Sequence, residues 1–212
     1  MKITLFGATG GVGGELLRQS VDAGHEVTAL VRTPSKLPAD LRSRVQVVEG
    51  DALDPADVER ALAGGTEAVL FALGASRKSP PNLCTEVTRH ILAAMPKHGV
   101  DRFIWCGGGS APMPDEQRNL GARIVTWTGE KFFGFLHHDK VHQLELLDDS
   151  RSIRWFGVRP IAIKKGPRTE SYRMGYDDFG MFSSITYADC AHAMMSMLAG
   201  ERWLHQAPIV RY

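Results

Sequence analysis

The 212-residue sequence predicts an α/β protein in a single domain, built on a doubly wound parallel sheet. Two observations carry that expectation. Short, unbroken apolar runs alternate with helical patterns of about 10–15 residues, as parallel strands do when crossover helices cover both faces of their sheet. A cluster of glycines also follows the first run and opens the first helical pattern.

Ile3–Phe6 reads as a buried strand ending at Gly7. Glu15–Ala23 has helical period and is closed by Gly24, and Val27–Val31 and Val45–Val48 are the second and third strands. Asp54-Pro55 places an N-cap before a proline at the first helical position, starting a helix that reaches Ala63. Ala68–Ala72 is the fourth strand. Leu83, Val87, Ile91, Ala94 and Met95 mark one face of the next helix, which ends near His98-Gly99, and Arg102–Cys106 is the fifth strand. The rhythm loosens over 111–136, where Pro112 and Pro114 precede Trp127, Phe132, Phe133 and Phe135, an aromatic group that suits either a lid or a core. A helix around His138–Leu147 leads to the strand Trp155–Val158. Thr186-x-x-Asp189 resembles a capping box for a helix through Met194, Met195 and Met197 to Leu198, its methionines placed as core, and Ile209-Val210 suits a last short strand. Residues 111–212 are expected to roof the carboxyl edge of the sheet.

Composition narrows the partners. Lys and Arg number 25 against 24 Asp and Glu, a balance that argues against nucleic-acid or membrane binding by bulk charge. Arg151, Arg154, Arg159, Lys164, Lys165, Arg168 and Arg173 concentrate positive charge locally; a solvated face is the favoured reading, an anionic-substrate site the other. Cys84, Cys106 and Cys190 are odd in number and far apart, so a cytoplasmic protein without disulfides is expected. No apolar run approaches the roughly 18 residues of a membrane span. Monomer and dimer both stay open.

Gly7-Ala8-Thr9-Gly10-Gly11-Val12-Gly13 has the spacing G-x-x-G-x-x-G between a strand and a helix. Glycine there allows a tight turn and lets backbone approach a pyrophosphate, whose charge sits against the free amides of a helix N-terminus. The second strand ends at Arg32, with Ser35 and Lys36 behind it and no acid from Thr28 to Ala39. A carboxylate there would bind a ribose 2′-hydroxyl and repel a 2′-phosphate, whereas a guanidinium grips phosphate; NADP(H) is therefore favoured over NAD(H).

These stretches, with Gly50–Asp54, Leu73–Ala75 and Val158–Pro160 in the same order, resemble the atypical short-chain dehydrogenase branch of NAD(P)H-binding proteins. That branch includes biliverdin-IXβ/flavin reductases and NmrA-like proteins, all with a Rossmann-like sheet. The resemblance implies that Asp51 and Ala52 flank the adenine and that Leu73 and Gly74 pass beside the ribose and nicotinamide. Gly107, Gly108 and Pro160 complete the candidate cofactor contacts. The biliverdin reductases carry a histidine after the V-R-P strand; here Ile161-Ala162 stand there, so the resemblance does not extend to biliverdin specificity.

No tyrosine stands four residues before a lysine; Lys140 would require one at Leu136. Carbonyl reduction by a Tyr/Lys acid is therefore not expected, and acceptors whose proton comes from solvent are favoured. Cys106-Gly107-Gly108-Gly109-Ser110 ends the fifth strand where such sheets bind ligands, its glycines suited to a flat ring and Ser110 to a hydrogen bond with nicotinamide or substrate. His138-Asp139-Lys140-Val141-His142 mimics the zinc motif H-E-x-x-H, but without its glutamate or a third ligand; a solvated helix face and no metal are expected. The expected function is an NADPH-dependent reductase of a planar acceptor, a flavin, quinone or tetrapyrrole-like molecule. The alternative is a non-catalytic NADP(H)-sensing regulator of the NmrA-like kind.

Overall fold

The computed structural model describes residues 1–212 apart from Asp115 and Asp178. In chain order the elements are β1 (Lys2–Phe6), α1 (Gly11–Asp22), β2 (Glu26–Val31), α2 (Ala39–Arg42), β3 (Gln46–Glu49), α3 (Pro55–Leu62), β4 (Ala68–Phe71), α4 (Leu83–Ala94) and β5 (Arg102–Cys106). There follow α5 (Leu120–Phe133), α6 (Phe135–Asp148), β6 (Arg154–Val158), β7 (Ala162–Lys164), β8 (Arg173–Gly175), β9 (Ser184–Thr186), α7 (Tyr187–Met195) and β10 (Ile209–Arg211). The main sheet has the order β3-β2-β1-β4-β5-β6, all parallel. This is the Rossmann-like arrangement predicted. Its strand order reverses between β1 and β4, which opens a crevice at their carboxyl ends.

Alternation along the strands divides the core. Ile3, Leu5, Leu70, Ile104 and Phe156 point to the face covered by α1 and α7, where Leu16, Leu17, Cys190 and Met194 meet them. Phe6, Val69, Phe71, Phe103, Trp105 and Trp155 point to the other face, against Val58 of α3, Val87 and Ile91 of α4, and Leu144 of α6. Each of these large side chains contributes roughly 1.5–3 kcal/mol by leaving water. Arg102, buried at the start of β5, stacks over Phe156 and donates to the Met197 carbonyl, tying the sheet to the end of α7.

Two caps appear where the sequence places them. Asp54 accepts from the Ala56 N–H at 2.9 Å, and Thr186 Oγ1 accepts from the Asp189 N–H at 3.1 Å. The second is only half of a capping box. Asp189 does not reach back to Thr186; its carboxylate, fully buried, accepts from Thr169 and Glu170 N–H groups and from the Thr169 and Tyr212 hydroxyls. Tyr212 OH takes the Thr186 N–H instead.

Three expectations are revised. The first helix starts at Gly11, not Glu15, because glycines carry no apolar periodicity yet adopt helical backbone here. The loosened stretch 111–136 contains the whole of α5, whose buried face is only Ala122, Val125 and Gly129. Its aromatic group is not core: Trp127, Phe132 and Phe133 are more than half exposed. The basic residues of 151–173 do not share one solvated face, since Arg159 is completely buried while Arg168 and Arg173 are exposed.

Beyond β6 the chain forms two ribbons, β7 with β9 in parallel and β8 with β10 antiparallel, beside the carboxyl end of β6. No helix among the described residues is long and apolar enough to cross a membrane.

Burial pushes the Asp189 carboxyl up, but its hydrogen bonds from Tyr212, Thr169 and Glu170 outweigh burial and hold it down at about 2. A carboxylate depressed on folding contributes stability above its unfolded pKa and loses it as pH falls through the folded one. Asp189→Asn is therefore expected to cost on the order of 2 kcal/mol near pH 6. In urea titrations at successive pH values, the gap between variant and wild type should narrow from pH 4 towards pH 2.

Candidate functional site

Two clefts lie along the carboxyl edge of the sheet. The first, about 380 Å³, sits at the strand-order reversal and is lined by Gly7, Thr9, Gly10, Arg32, Asp51, Ala52, Leu73 and Gly74, with Ser76, Lys78 and Ser79 on its outer rim. Gly7 has φ +90°, and a Cβ there would lie 2.6 Å from the backbone of Ala72 and Leu73, so only glycine lets the two loops meet. A Cβ on Gly13 would fall 1.9 Å from the Gly7 carbonyl, which presses α1 against the end of β1. Gly10 caps α1 without any side-chain hydrogen bond, and the first turn of α1 holds no acid. The amides of that turn thus face the cleft as an anion-binding end.

A second cleft of about 380 Å³ lies over β5 and β6. Its walls are Val125, Phe133, Leu136, Pro160, Ile161, Ala162 and Met181, with Gly108 and Gly109 at the base; its polar groups are Ser110, Thr128 and His137. His137 Nδ1 lies 3.0 Å from Ser110 Oγ. Gly129 of α5 makes room for this pair, since a Cβ there would come within 2.4 Å of Ser110 Cβ and 3.1 Å of His137 Nδ1. Burial first, then the neighbouring His138, hold the His137 imidazole below its usual range, although Glu130 opposes them. The ring is therefore neutral at pH 7, able to accept on one nitrogen and donate from the other.

The turn that carries Ser110 is fixed by buried charge. Glu116 lies between two guanidinium groups, 2.7 Å from Arg159 Nη2 and 3.1 Å from Arg118 Nε, and all three side chains are nearly or wholly inaccessible. Glu116 also accepts from the Met113 N–H. Arg118 donates to the Ala111 carbonyl at 3.0 Å and to Thr126 Oγ1 at 2.6 Å, while Arg159 reaches the Ala111 and Ala207 carbonyls. The end of β6, the turn after β5 and α5 are thereby held in one network.

A family model described as NAD(P)H-binding matches residues 7–201. The chain belongs to that family. Among its relatives, the uncharacterized protein YwnB of Bacillus subtilis is 30% identical over 206 residues, covering 93% of this chain and 92% of YwnB. A 3-beta-hydroxysteroid dehydrogenase of Mycolicibacterium neoaurum is 29% identical over 60% of this chain, but only 37% of its own length is matched. Among solved structures, the anaerobillin reductase ChuY of Escherichia coli O157:H7 superposes with a TM-score of 0.78 at 21% identity, over 100% of this chain and 97% of ChuY. A short-chain dehydrogenase/reductase of Veillonella parvula, in complex with NADP, gives 0.78 at 17% identity over 100% and 94%. These two likenesses are of fold.

The sequence-predicted residues of this NAD(P)H-binding chain divide between the clefts. Gly7, Thr9, Gly10, Arg32, Asp51, Ala52, Leu73 and Gly74 line the first; Gly108, Ser110 and Pro160 line the second. Ser35 and Lys36 are exposed on a short turn after β2 and line neither. Val12 is core, and Gly11 is glycine because the Tyr187 ring would lie 2.7 Å from its Cβ. Of the three glycines after β5, Gly107 makes room for Trp105 and Gly109 for Ile161; a Cβ on Gly108 would find its nearest neighbour 3.8 Å away. Gly108 alone leaves open floor.

His138 and His142 are exposed on α6, and among the described residues no three His, Cys, Asp or Glu side chains gather as a metal site. The residues between and before them have other work. Asp139 is buried and accepts from the Cys84 and Thr85 N–H groups, both at 2.9 Å, which caps the start of α4. Lys140 passes below Gly108 and donates to Gln143 at 3.1 Å. Sequence reading missed His137 altogether: one step from the zinc-like motif, it carried no signal of its own, and only the fold brings it to Ser110.

Gly129→Ala is expected to drive Ser110 and His137 apart, at a cost of about 1–3 kcal/mol from overpacking. An NMR titration of the His137 ring should then show its pKa rising towards the ordinary value near 6.5 as the ring gains water.

Proposed function

We propose that the protein is an NADPH-dependent reductase of a planar acceptor bound in the second cleft. The observation that carries this reading is the neutral Ser110–His137 pair in an apolar cleft, on the same sheet edge as a glycine-lined anion site. The fit to the dinucleotide rests on the close backbone packing that Gly7 and Gly13 allow and on the uncapped amides of α1. Those amides would hold the pyrophosphate, Asp51 and Ala52 the adenine, and Leu73 and Gly74 the nicotinamide ribose. Arg32, exposed on the rim of the first cleft, would grip the 2′-phosphate with charge-assisted hydrogen bonds. When bound, NADPH supplies a hydride, that is two electrons and one proton.

The chain's own residues supply the rest. Gly108 leaves space for the acceptor ring over the carboxyl end of β5. Ser110 donates its hydroxyl hydrogen bond to the acceptor atom that gains negative charge, and His137 holds that hydroxyl in line through Nδ1. The apolar walls exclude water around the reacting atoms. A pure NADP(H) sensor has no use for such a second cleft, and the dehydrogenase name of one relative and the reductase name of one structural neighbour support the same reading.

Removing a charge-assisted hydrogen bond worth roughly 1.5–3 kcal/mol, Arg32→Ala should weaken NADPH about 10- to 150-fold and leave NADH nearly unchanged. Calorimetric titration with both cofactors checks this, and equal losses would remove Arg32 from 2′-phosphate recognition.

The protein should oxidise NADPH, followed at 340 nm, when given riboflavin or a quinone. Ser110→Ala should lower kcat roughly tenfold, the worth of one hydrogen bond, without changing the KM for NADPH. Stoichiometric NADPH binding with no oxidation by any flavin or quinone would overturn the reading.

A further inference from the structure

Notable among the wall residues of the second cleft is what they lack: among the described residues, no lysine, arginine, aspartate or glutamate lines it. Its three polar side chains, Ser110, Thr128 and His137, are uncharged, His137 because burial keeps its ring deprotonated. Arg118 and Arg159 lie close behind the Ser110 turn, yet both are committed to Glu116 and to backbone carbonyls and do not line the cleft. Lys140, whose stem passes Gly108, turns its ammonium to Gln143 and does not line the cleft either. An anionic group drawn into these walls would leave water with no counter-charge among them, which is strongly unfavourable.

The mouth of the cleft is apolar as well. Phe133 and Met181 line the cleft and are still 57% and 52% exposed, so each presents one side to a ligand and the other to water. Their chain neighbours Phe132, 62% exposed with Trp127 edge-on to its ring at 6.2 Å, and Phe182, 95% exposed, add further exposed aromatic surface. Large side chains this exposed, next to an apolar cleft, leave greasy surface that a ligand can cover.

We propose that the acceptor is an uncharged quinone carrying an apolar tail, its ring over Gly108 beside Ser110 and its tail across Phe133 and Met181. The inference rests on the reductase reading and goes beyond it by excluding the anionic members of the planar class, phosphorylated flavins and propionate-bearing tetrapyrroles. Reduction of the quinone takes two electrons and two protons. With both electrons and one proton accounted for by the hydride, the second proton comes from water, while the Ser110 hydroxyl holds the charged oxygen by its hydrogen bond.

The test uses pairs of probes that differ in one property. Ubiquinone-0 and decylubiquinone share a ring and differ in the tail; 1,2-naphthoquinone and its 4-sulfonate differ in charge. Binding to the protein loaded with NADP⁺, which allows no turnover, is read by quenching of tryptophan fluorescence, and turnover with NADPH is read separately. Burial of two or more methylenes is worth about tenfold or more, so decylubiquinone should bind at least tenfold tighter than ubiquinone-0 and show a correspondingly lower KM. The sulfonate should bind at least tenfold more weakly than its parent. Phe133→Ser should weaken decylubiquinone by a larger factor than ubiquinone-0 and so shrink the tail advantage several-fold, since the tail lies across that ring. Equal binding of the two ubiquinones, a tail advantage left undiminished by Phe133→Ser, or preference for the sulfonate would overturn the proposal. If the quinones bind as expected but are not reduced, the reductase reading fails while the assignment of the cleft stands.

Discussion

The second cleft of this protein depends on one buried carboxylate. Glu116 sits between Arg118 and Arg159, out of reach of water, and the two guanidinium groups spend their remaining donors on carbonyls at Gly109, Ser110, Ala111 and Ala207. Remove the carboxylate and two positive charges face each other in a medium that screens poorly, a loss typically of about 3–5 kcal/mol for a broken buried pair. A well-packed apolar trio in its place could be as stable. What the apolar trio would lack is direction: hydrogen bonds fix where the backbone of 109–111 lies, and so where Ser110 points.

Around that network the molecule separates two tasks. Between β1 and β4, backbone meets backbone at Gly7 and Ala72, and glycine lets the first turn of α1 come close to the cleft, whose charged side chains are Arg32, Asp51 and Lys78. Over β5 and β6, side chains line the second cleft, and they are apolar except for Ser110, Thr128 and His137. Buried polar groups of α6 bind it to α4, through Asp139 on the Cys84 and Thr85 amides and Gln143 on Thr88. An element that looks polar by composition is thereby a core element.

That explains what the sequence did and did not disclose. The parallel sheet was legible because its strands are apolar on both faces, and the first cleft because phosphate binding demands glycine, which leaves a pattern. Asp54 and Thr186 were legible as caps because capping is local. His137, Asp139 and Arg159 were not, since their meaning lies in partners 20 to 55 residues away, and each looks like a surface residue until the chain closes. Reading α5 failed for a related reason: its aromatic residues face outward and its inner face is made of alanine, valine and glycine, the reverse of the usual stripe. The Asp189 pattern misled by half, because a residue with the right spacing for a capping box had found buried donors elsewhere.

One joint in the chain bears on motion. Gly134, at φ +46°, links α5 to α6 in a backbone conformation that suits glycine alone. On one side of it, α6 is anchored to α4; on the other, α5 buries three small residues and leans on the Ser110 turn. Native-state opening proceeds from the least anchored unit, and α5, held by three buried residues and by Thr126 on Arg118, is less anchored than α6. Amide hydrogens of α5 would then exchange ahead of those in α1 and α4. The second cleft thus has one wall set on fewer anchors than the glycine-packed side between β1 and β4, where backbone meets backbone.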